Sequence, residues 1–147
     1  QNQINVAGSV FSFTSKLIEG NYPDYEKVFP VGDESKLIVD KNEFNTALSR
    51  ASVLSNEKYR GIRLSLNKDL LKIEANNPEK ESAEEEIKVD YSGPELEIGF
   101  NISYLQESLT TIKDLSAEIV FFGQESSCIV KNKENEDLIH VIMPMRL

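Results

Sequence analysis

The chain offers few side chains that could carry out a reaction. Its one histidine, His140, stands between two apolar residues in a β-type run, and its one cysteine, Cys128, lies in another apolar run. No nucleophile motif accompanies the histidine, and one His with one Cys is too few for a metal site. The acidic stretch lacks the glycine and spacing of a calcium loop, and no glycine-rich phosphate motif occurs. We therefore expect a protein that is not an enzyme and binds no metal or cofactor.

The residues best suited to contact a partner are the last five, Met143, Pro144, Met145, Arg146 and Leu147. They include both methionines of the chain, and methionine is a flexible side chain that accepts varied apolar partners. Proline cannot donate to a strand ladder, so the preceding strand should end before Pro144 and leave the tail at a sheet edge. We interpret this tail as a contact surface.

Length and composition limit the remaining possibilities. The 147 residues suffice for one domain with a core and part of a second, and 39% of them are hydrophobic. A net charge of −9 argues against a protein that coats nucleic acid with basic residues. No apolar run approaches the roughly 20 residues of a membrane helix. The lone cysteine favours a reducing compartment, and the first residues resemble neither a start nor a signal peptide, which suggests a piece of a longer chain.

A strand–helix–strand–strand pattern occurs twice. In the first copy Asp40 is a helix N-cap candidate with Glu43 three positions on, and in the second copy Asn101 takes the cap position. The two caps are separated by 61 positions. Apolar residues follow each cap at helical spacing: Phe44, Ala47, Leu48, Ala51 and Leu54 in the first copy, and Ile102, Leu105, Leu109 and Ile112 in the second. We interpret this as an internal duplication in an α+β fold.

Two further segments flank or separate the copies. Residues 10–18 alternate as one strand, followed by the turn-rich stretch 20–25. Between the copies, the acidic run 79–86 precedes a predicted strand at 87–91. Such a run is either a solvated, charge-protected edge or an acidic patch for a basic partner.

Seven sequence blocks occur in an order and spacing typical of one family. They are residues 13–18, 22–25, 54–61, 75–79, 91–93, 98–101 and 143–147. In these blocks the chain resembles the bacterial sliding clamp family, the beta subunit of DNA polymerase III, nearly from end to end. The resemblance implies the DNA-clamp fold, in which two helices pack on antiparallel sheets. It also implies that residues 1–25 end the middle domain and that residues 26–147 form the C-terminal domain of three.

The resemblance also implies a function. Two chains of the family close head to tail into a homodimeric ring around duplex DNA, without sequence preference and without catalysis, in the cytoplasm. Partners bind through short motifs: the DNA polymerase III alpha subunit, the clamp loader, other DNA polymerases and mismatch-repair proteins. The stretch from Lys41 to Arg60 holds four basic and two acidic residues, so Lys41 and Arg50 are the DNA-facing candidates.

Two sets of site residues follow from the same resemblance. The peptide-binding groove corresponds to Pro23, Lys27, Val28, Asn101, Tyr104, Val141, Met143, Pro144, Met145 and Arg146, and the dimer interface to Val53, Leu54, Glu79, Glu81, Glu84 and Glu85. Lys27 stands where the family often has arginine, and Glu125 where the groove wall is often apolar. Two alternatives remain: a stand-alone acidic α+β adaptor that binds peptides without meeting DNA, and a hydrolase that uses His140.

Overall fold

The computed structural model describes residues 2–56, 58–134 and 138–146. The predictions that involve Gln1, Glu57, residues 135–137 and Leu147 lie outside these ranges. The strands are β1 (Gln3–Ala7), β2 (Ser12–Lys16), β3 (Ser35–Asp40), β4 (Gly61–Asn67), β5 (Leu70–Asn76), β6 (Ser82–Lys88), β7 (Asp90–Tyr91), β8 (Leu96–Asn101), β9 (Ser116–Phe121), β10 (Cys128–Asn132) and β11 (Ile139–Ile142). The helices are α1 (Lys41–Ser52), α2 (Ile102–Thr111) and a 3₁₀ turn at Tyr25–Val28. Within the described ranges, neither α-helix is long and apolar enough to cross a membrane.

Both α-helices begin at the predicted caps. The Asp40 carboxylate accepts a hydrogen bond from the Glu43 amide at 2.8 Å, and the Asn101 side-chain oxygen accepts one from the Ser103 amide at 2.8 Å. Each bond satisfies a backbone donor that the first turn leaves without a helical partner. The prediction of two helices that start at Asp40 and Asn101 is confirmed.

The two copies exchange their first strands. The sheets have the orders β11-β10-β9-β3-β7 and β6-β5-β4-β8, so β3 pairs with a strand of the second copy and β8 with a strand of the first. The first helical amides make matching bonds: Lys41 donates to the Leu115 carbonyl at 2.9 Å, and Ile102 donates to the Arg60 carbonyl at 2.9 Å. The α+β duplication is therefore confirmed, and the exchange joins both copies into one core.

That core lies between the helices and the two larger sheets. Phe44, Ala47, Leu48 and Ala51 of α1 and Ile102, Leu105 and Leu109 of α2 are buried there with alternate residues of the strands. Leu54, the last residue of the predicted stripe, is only half-buried because α1 ends before it. The helices lie side by side and antiparallel: the Gln106 amide donates to the Ser49 hydroxyl at 3.0 Å, and the Lys41 ammonium to the Ile112 carbonyl at 2.9 Å.

The N-terminal strand is shorter than predicted. Within residues 10–18 only β2 is a strand, and it pairs with β1, which was not predicted, in an antiparallel hairpin with Gln3 opposite Lys16. The alternation in β1 is short, because only Ile4 and Val6 are large apolar residues there. Strand formation there depends on the partner strand, which a residue pattern does not reveal.

The acidic run lies at a sheet edge, as one of its two interpretations expected, but the bounds of the strand predicted after it were wrong. Most of the run belongs to β6, the edge of the four-stranded sheet, and the chain then makes the short β7 where a continuous strand at 87–91 was predicted. Glutamates are poor strand formers alone, but here cations on neighbouring elements offset them. The Lys72 ammonium on β5 lies 2.9 Å from Glu84.

Candidate functional site at the tail and the acidic edge

The C-terminal tail connects the edges of the two larger sheets. Strand β11 ends at Ile142, before Pro144, as the lack of a proline N–H predicts. The chain then crosses to β8, where the Met145 amide donates to the Gly99 carbonyl at 2.8 Å in an isolated antiparallel bridge. This bond fixes the path of residues 143–146 over the surface.

The side chains of the tail stay accessible. Met143 is 62% exposed, Pro144 and Met145 are half-buried, and Arg146 is exposed. The Arg146 guanidinium lies 3.8 Å from the Glu125 carboxylate. A short apolar surface with one cation beside it is thus open to a partner.

One cleft of about 640 Å³ lies between α2 and β11. It is lined by Tyr104, Glu107, Ser108, Thr111, Ile139, His140, Val141, Ile142 and Met143. Three of the polar side chains in its wall have partners: Ser108 donates to the Leu105 carbonyl at 2.7 Å, and Thr111 Oγ1 lies 2.6 Å from His140 Nε2. His140 stands opposite buried Val130, on the side that alternation predicts. The cleft therefore offers apolar surface more than reactive groups.

A second cleft of about 410 Å³ lies along the other end of the tail. Its lining is Arg63, Glu97, Ile98, Gly99, Gln124, Glu125, Met145 and Arg146. Arg63 and Glu97 form an ion pair at 3.3 Å across its wall, so charges of both signs surround the backbone bridge. Glu125 is exposed at this wall, where a peptide side chain could meet it.

Asn101 uses both ends of its side chain within the chain. Its oxygen caps α2, and its amide donates to the Tyr59 carbonyl at 3.2 Å. Tyr59 was not among the predicted site residues. It is exposed, and the Lys58 ammonium lies 5.2 Å from the centre of its ring. The signal in the sequence that could have marked it as a site residue is an aromatic residue within the polar block after α1.

Among the described residues, five of the predicted groove residues do not line either cleft: Pro23, Lys27, Val28, Asn101 and Pro144. Pro23 precedes the 3₁₀ turn that contains Lys27 and Val28. Lys27 pairs with Asp24 at 3.0 Å. Val28 is exposed.

The predicted interface residues cluster at the β6 end of the domain. Val53 at the end of α1 is 78% exposed and lines a polar cleft of about 450 Å³ with Glu79 and Glu81. The Glu81 carboxylate accepts a bond from the Asn77 side chain at 2.8 Å. The structure thus brings together an apolar residue and two carboxylates, while half-buried Leu54 lies outside this lining.

The two DNA-facing candidates are both engaged inside the chain. The Lys41 ammonium satisfies a carbonyl at the end of α2. The Arg50 guanidinium donates from Nε and Nη2 to the two oxygens of Glu85, each at 2.7 Å. This bidentate pair lowers the pKa of Glu85 and raises that of Arg50, mainly through the hydrogen bonds. Glu85 was predicted to lie at the dimer interface and Arg50 to face DNA. This contact therefore joins one residue from each of the two predicted sites.

The domain consists of two strand–helix–strand–strand units that exchange their first strands and pack their helices side by side. This arrangement defines the DNA-clamp class of domain. Residues 26–146 match the model of the DNA polymerase III beta subunit, C-terminal domain. The chain belongs to this family.

Relatives and solved structures agree over the whole chain. The chain is 48% identical to the beta sliding clamp of Pseudomonas aeruginosa over 147 residues, and 42% identical to that of Escherichia coli over 146. It resembles the crystal structure of DNA polymerase III subunit beta from Pseudomonas aeruginosa with a TM-score of 0.94 at 48% identity, covering 100% of this chain and 40% of that one. A Bartonella birtlesii sliding clamp bound to griselimycin matches at 0.91 with 32% identity, covering 99% of this chain and 40% of that one. The chain spans 40% of the length of both curated relatives.

Proposed function

We propose that the chain is the C-terminal part of a processivity clamp. Residues 1–25 end a middle domain and residues 26–147 form the third domain of a longer subunit, two copies of which close into a ring around duplex DNA. The observation that carries this proposal is the duplicated fold with matching helix starts, together with family membership. The open hairpin β1–β2, with Ile4, Val6 and Phe13 about half exposed, fits a domain that continues upstream.

Processivity in this proposal comes from topology. A closed ring slides along duplex DNA and leaves only at an end, so it needs no strong contact with phosphate. The net charge of −9 disfavours direct adhesion to DNA. The internal contacts of Lys41 and Arg50 also fit a helix surface that passes DNA without holding it tightly.

We propose in addition that the tail and its clefts form a groove for short apolar peptide motifs. Pro23, Lys27, Val28, Asn101, Tyr104, Val141, Met143, Pro144, Met145 and Arg146 contribute to it, with upstream residues completing the wall. Support comes from the two clefts beside the tail and from exposed Met143, since pockets of this kind combine apolar lining with few polar anchors. The partners we propose are the DNA polymerase III alpha subunit, the clamp loader, other DNA polymerases and mismatch-repair proteins.

The proposed protein is non-catalytic and cytoplasmic. The hydroxyls of Ser108 and Thr111 donate within α2, and His140 is engaged with Thr111. Although Thr111 lies beside the imidazole, its hydroxyl donates its proton to the Ser108 carbonyl at 2.8 Å, so this proton is not directed at His140 as in an activated nucleophile. In this proposal the bound partner proteins catalyse the reactions, and the clamp keeps these partners at the DNA.

Retention on circular DNA tests the ring. The full-length protein is loaded by its clamp loader onto nicked plasmid, separated by gel filtration in high salt, and then the plasmid is linearised. We expect retention on circles, release after linearisation, and restored retention when bound proteins block both ends. Equal retention on open linear DNA would contradict the ring, and failure to associate with either form would favour the stand-alone peptide adaptor.

A further inference from the structure

In each α-helix one side chain forms a hydrogen-bonded contact with the edge strand of one large sheet. The tenth residue of α1, Arg50, bonds Glu85 of β6, and the tenth residue of α2, Thr111, bonds His140 of β11. We call each contact a clasp. The duplication places the two clasps at equivalent points of the fold.

The strand registers prove that equivalence. One row across the five-stranded sheet runs Leu37, Ile119, Val130 and His140, and one row across the four-stranded sheet runs Ile98, Leu64, Ile73 and Glu85. Each row starts three residues before a helix cap, at Leu37 and at Ile98. The fold therefore contains two equivalent contacts between a helix and an edge strand. Of these two clasps, the one at β6 is an ion pair and the one at β11 joins a hydroxyl to an imidazole.

The charged clasp stands on the side of β6 that faces α1. Every second residue of β6 faces the helix: Ala83, Glu85 and Ile87. Ile87 is buried, whereas 23% of the Glu85 side chain is exposed. Glu84 points to the other side and pairs with Lys72. Without Arg50, the Glu85 carboxylate would lose both hydrogen bonds from the guanidinium, and β6 would lose this connection to α1. The lowered pKa of Glu85 agrees with this dependence.

We propose that Arg50 is a positioning residue for ring closure: its two bonds to Glu85 hold β6 extended beside α1, in the form that the partner subunit can contact. This inference rests on the proposed ring and gives Arg50 a task other than contact with DNA. As an edge strand, β6 pairs with β5 alone, and a surface already ordered before association loses less entropy when it binds. Arg50 bonds both oxygens of Glu85 at once, and the single ammonium group of a lysine cannot reproduce this bidentate geometry.

The test measures the dimer dissociation constant of the full-length protein by sedimentation during dilution. Arg50→Gln is expected to raise that constant by roughly threefold to tenfold, within the range for a well-aligned but exposed pair. Arg50→Lys should restore only part of the loss. Glu85→Gln should weaken the dimer at least as much, because Glu85 is also a predicted interface residue. The double variant should fall no further than Glu85→Gln alone, because Arg50 then has no contact with Glu85 left to lose.

Lys36→Gln is the matched control. It removes the same charge from the other large sheet, where Lys36 pairs with Glu34 at 3.5 Å, and it should leave the dissociation constant unchanged. Amide exchange gives a second readout: in Arg50→Gln the amides of β6 should exchange faster while those of β11 do not change.

The outcomes separate the two proposals. A wild-type protein that never dimerises would refute the ring and the inference with it. A wild-type dimer whose dissociation constant is unaffected by Arg50→Gln, or whose Arg50→Gln and Glu85→Gln effects simply add, would refute the clasp alone. Unchanged exchange in β6 would also refute it.

Discussion

Replacing Asn101 with alanine is expected to lower the free energy of unfolding by about 2 kcal/mol. The change removes the cap of α2, which is worth about 1 kcal/mol, and the bond to the Tyr59 carbonyl, which contributes about 1 kcal/mol more. Both bonds are present in the structure, at 2.8 and 3.2 Å. The asparagine is half-buried, so water replaces these bonds only in part.

Two variants divide this loss into its parts. Asp40→Ala removes an equivalent 2.8 Å cap bond from α1 without a second contact, and should cost about 1 kcal/mol. Asn101→Asp keeps the capping oxygen but sets an oxygen against the Tyr59 carbonyl, so it should also cost about 1 kcal/mol. The order of stability is therefore wild type, then these two variants, then Asn101→Ala.

Urea unfolding followed by circular dichroism measures the differences, with thermal scans as a second readout. In a chain of this size 1 kcal/mol corresponds to roughly 2–4 °C in Tm, so the variants are resolvable. Equal losses in Asn101→Ala and Asp40→Ala would mean that the Tyr59 bond contributes nothing. An Asn101→Asp variant as stable as wild type would refute the reasoning in the same way.

Two further results are expected. Burial raises the pKa of Cys128 to about 12, so a thiol reagent at neutral pH should label it only after urea unfolding; labelling of the folded chain at the rate of a free cysteine would contradict its place in the core. Arg50 lowers the pKa of Glu85, so the stability from this pair should be present above the ordinary glutamate value of about 4.3 and be lost as the pH falls through the lowered value. Urea midpoints of wild type and Glu85→Gln should converge at acidic pH.

The helices were predictable because their signals are local. A cap and its partner lie within three residues, as in Asp40 and Glu43, and the apolar stripe of α1 needs only one face of one helix. The tail was predictable for the same reason, because the missing N–H of Pro144 ends a strand wherever that strand lies. The internal duplication was predictable because the same local signals, a cap followed by an apolar stripe, occur twice in the sequence.

The exchange of β3 and β8 was not predictable from the same signals. Each strand alternates in the same way whichever partner it takes, and pairing depends on how distant segments meet. The clasp was missed for a related reason: Arg50 and Glu85 are separated by 35 positions, and the family resemblance placed Glu85 at the dimer interface while the local charge count made Arg50 a DNA-facing candidate. Only the packing of α1 on β6 brings them together.

Calorimetric titration of a clamp-binding peptide from the DNA polymerase III alpha subunit into the full-length protein tests the central claim, that the tail holds partners. The Met143→Ala and Met145→Ala double variant, which keeps the Met145 backbone bond to Gly99, should weaken binding by roughly tenfold or more. Leu115→Ala, which shortens an exposed apolar side chain elsewhere, should not change it. Equal affinity for wild type and the methionine variant would contradict the assignment of the groove.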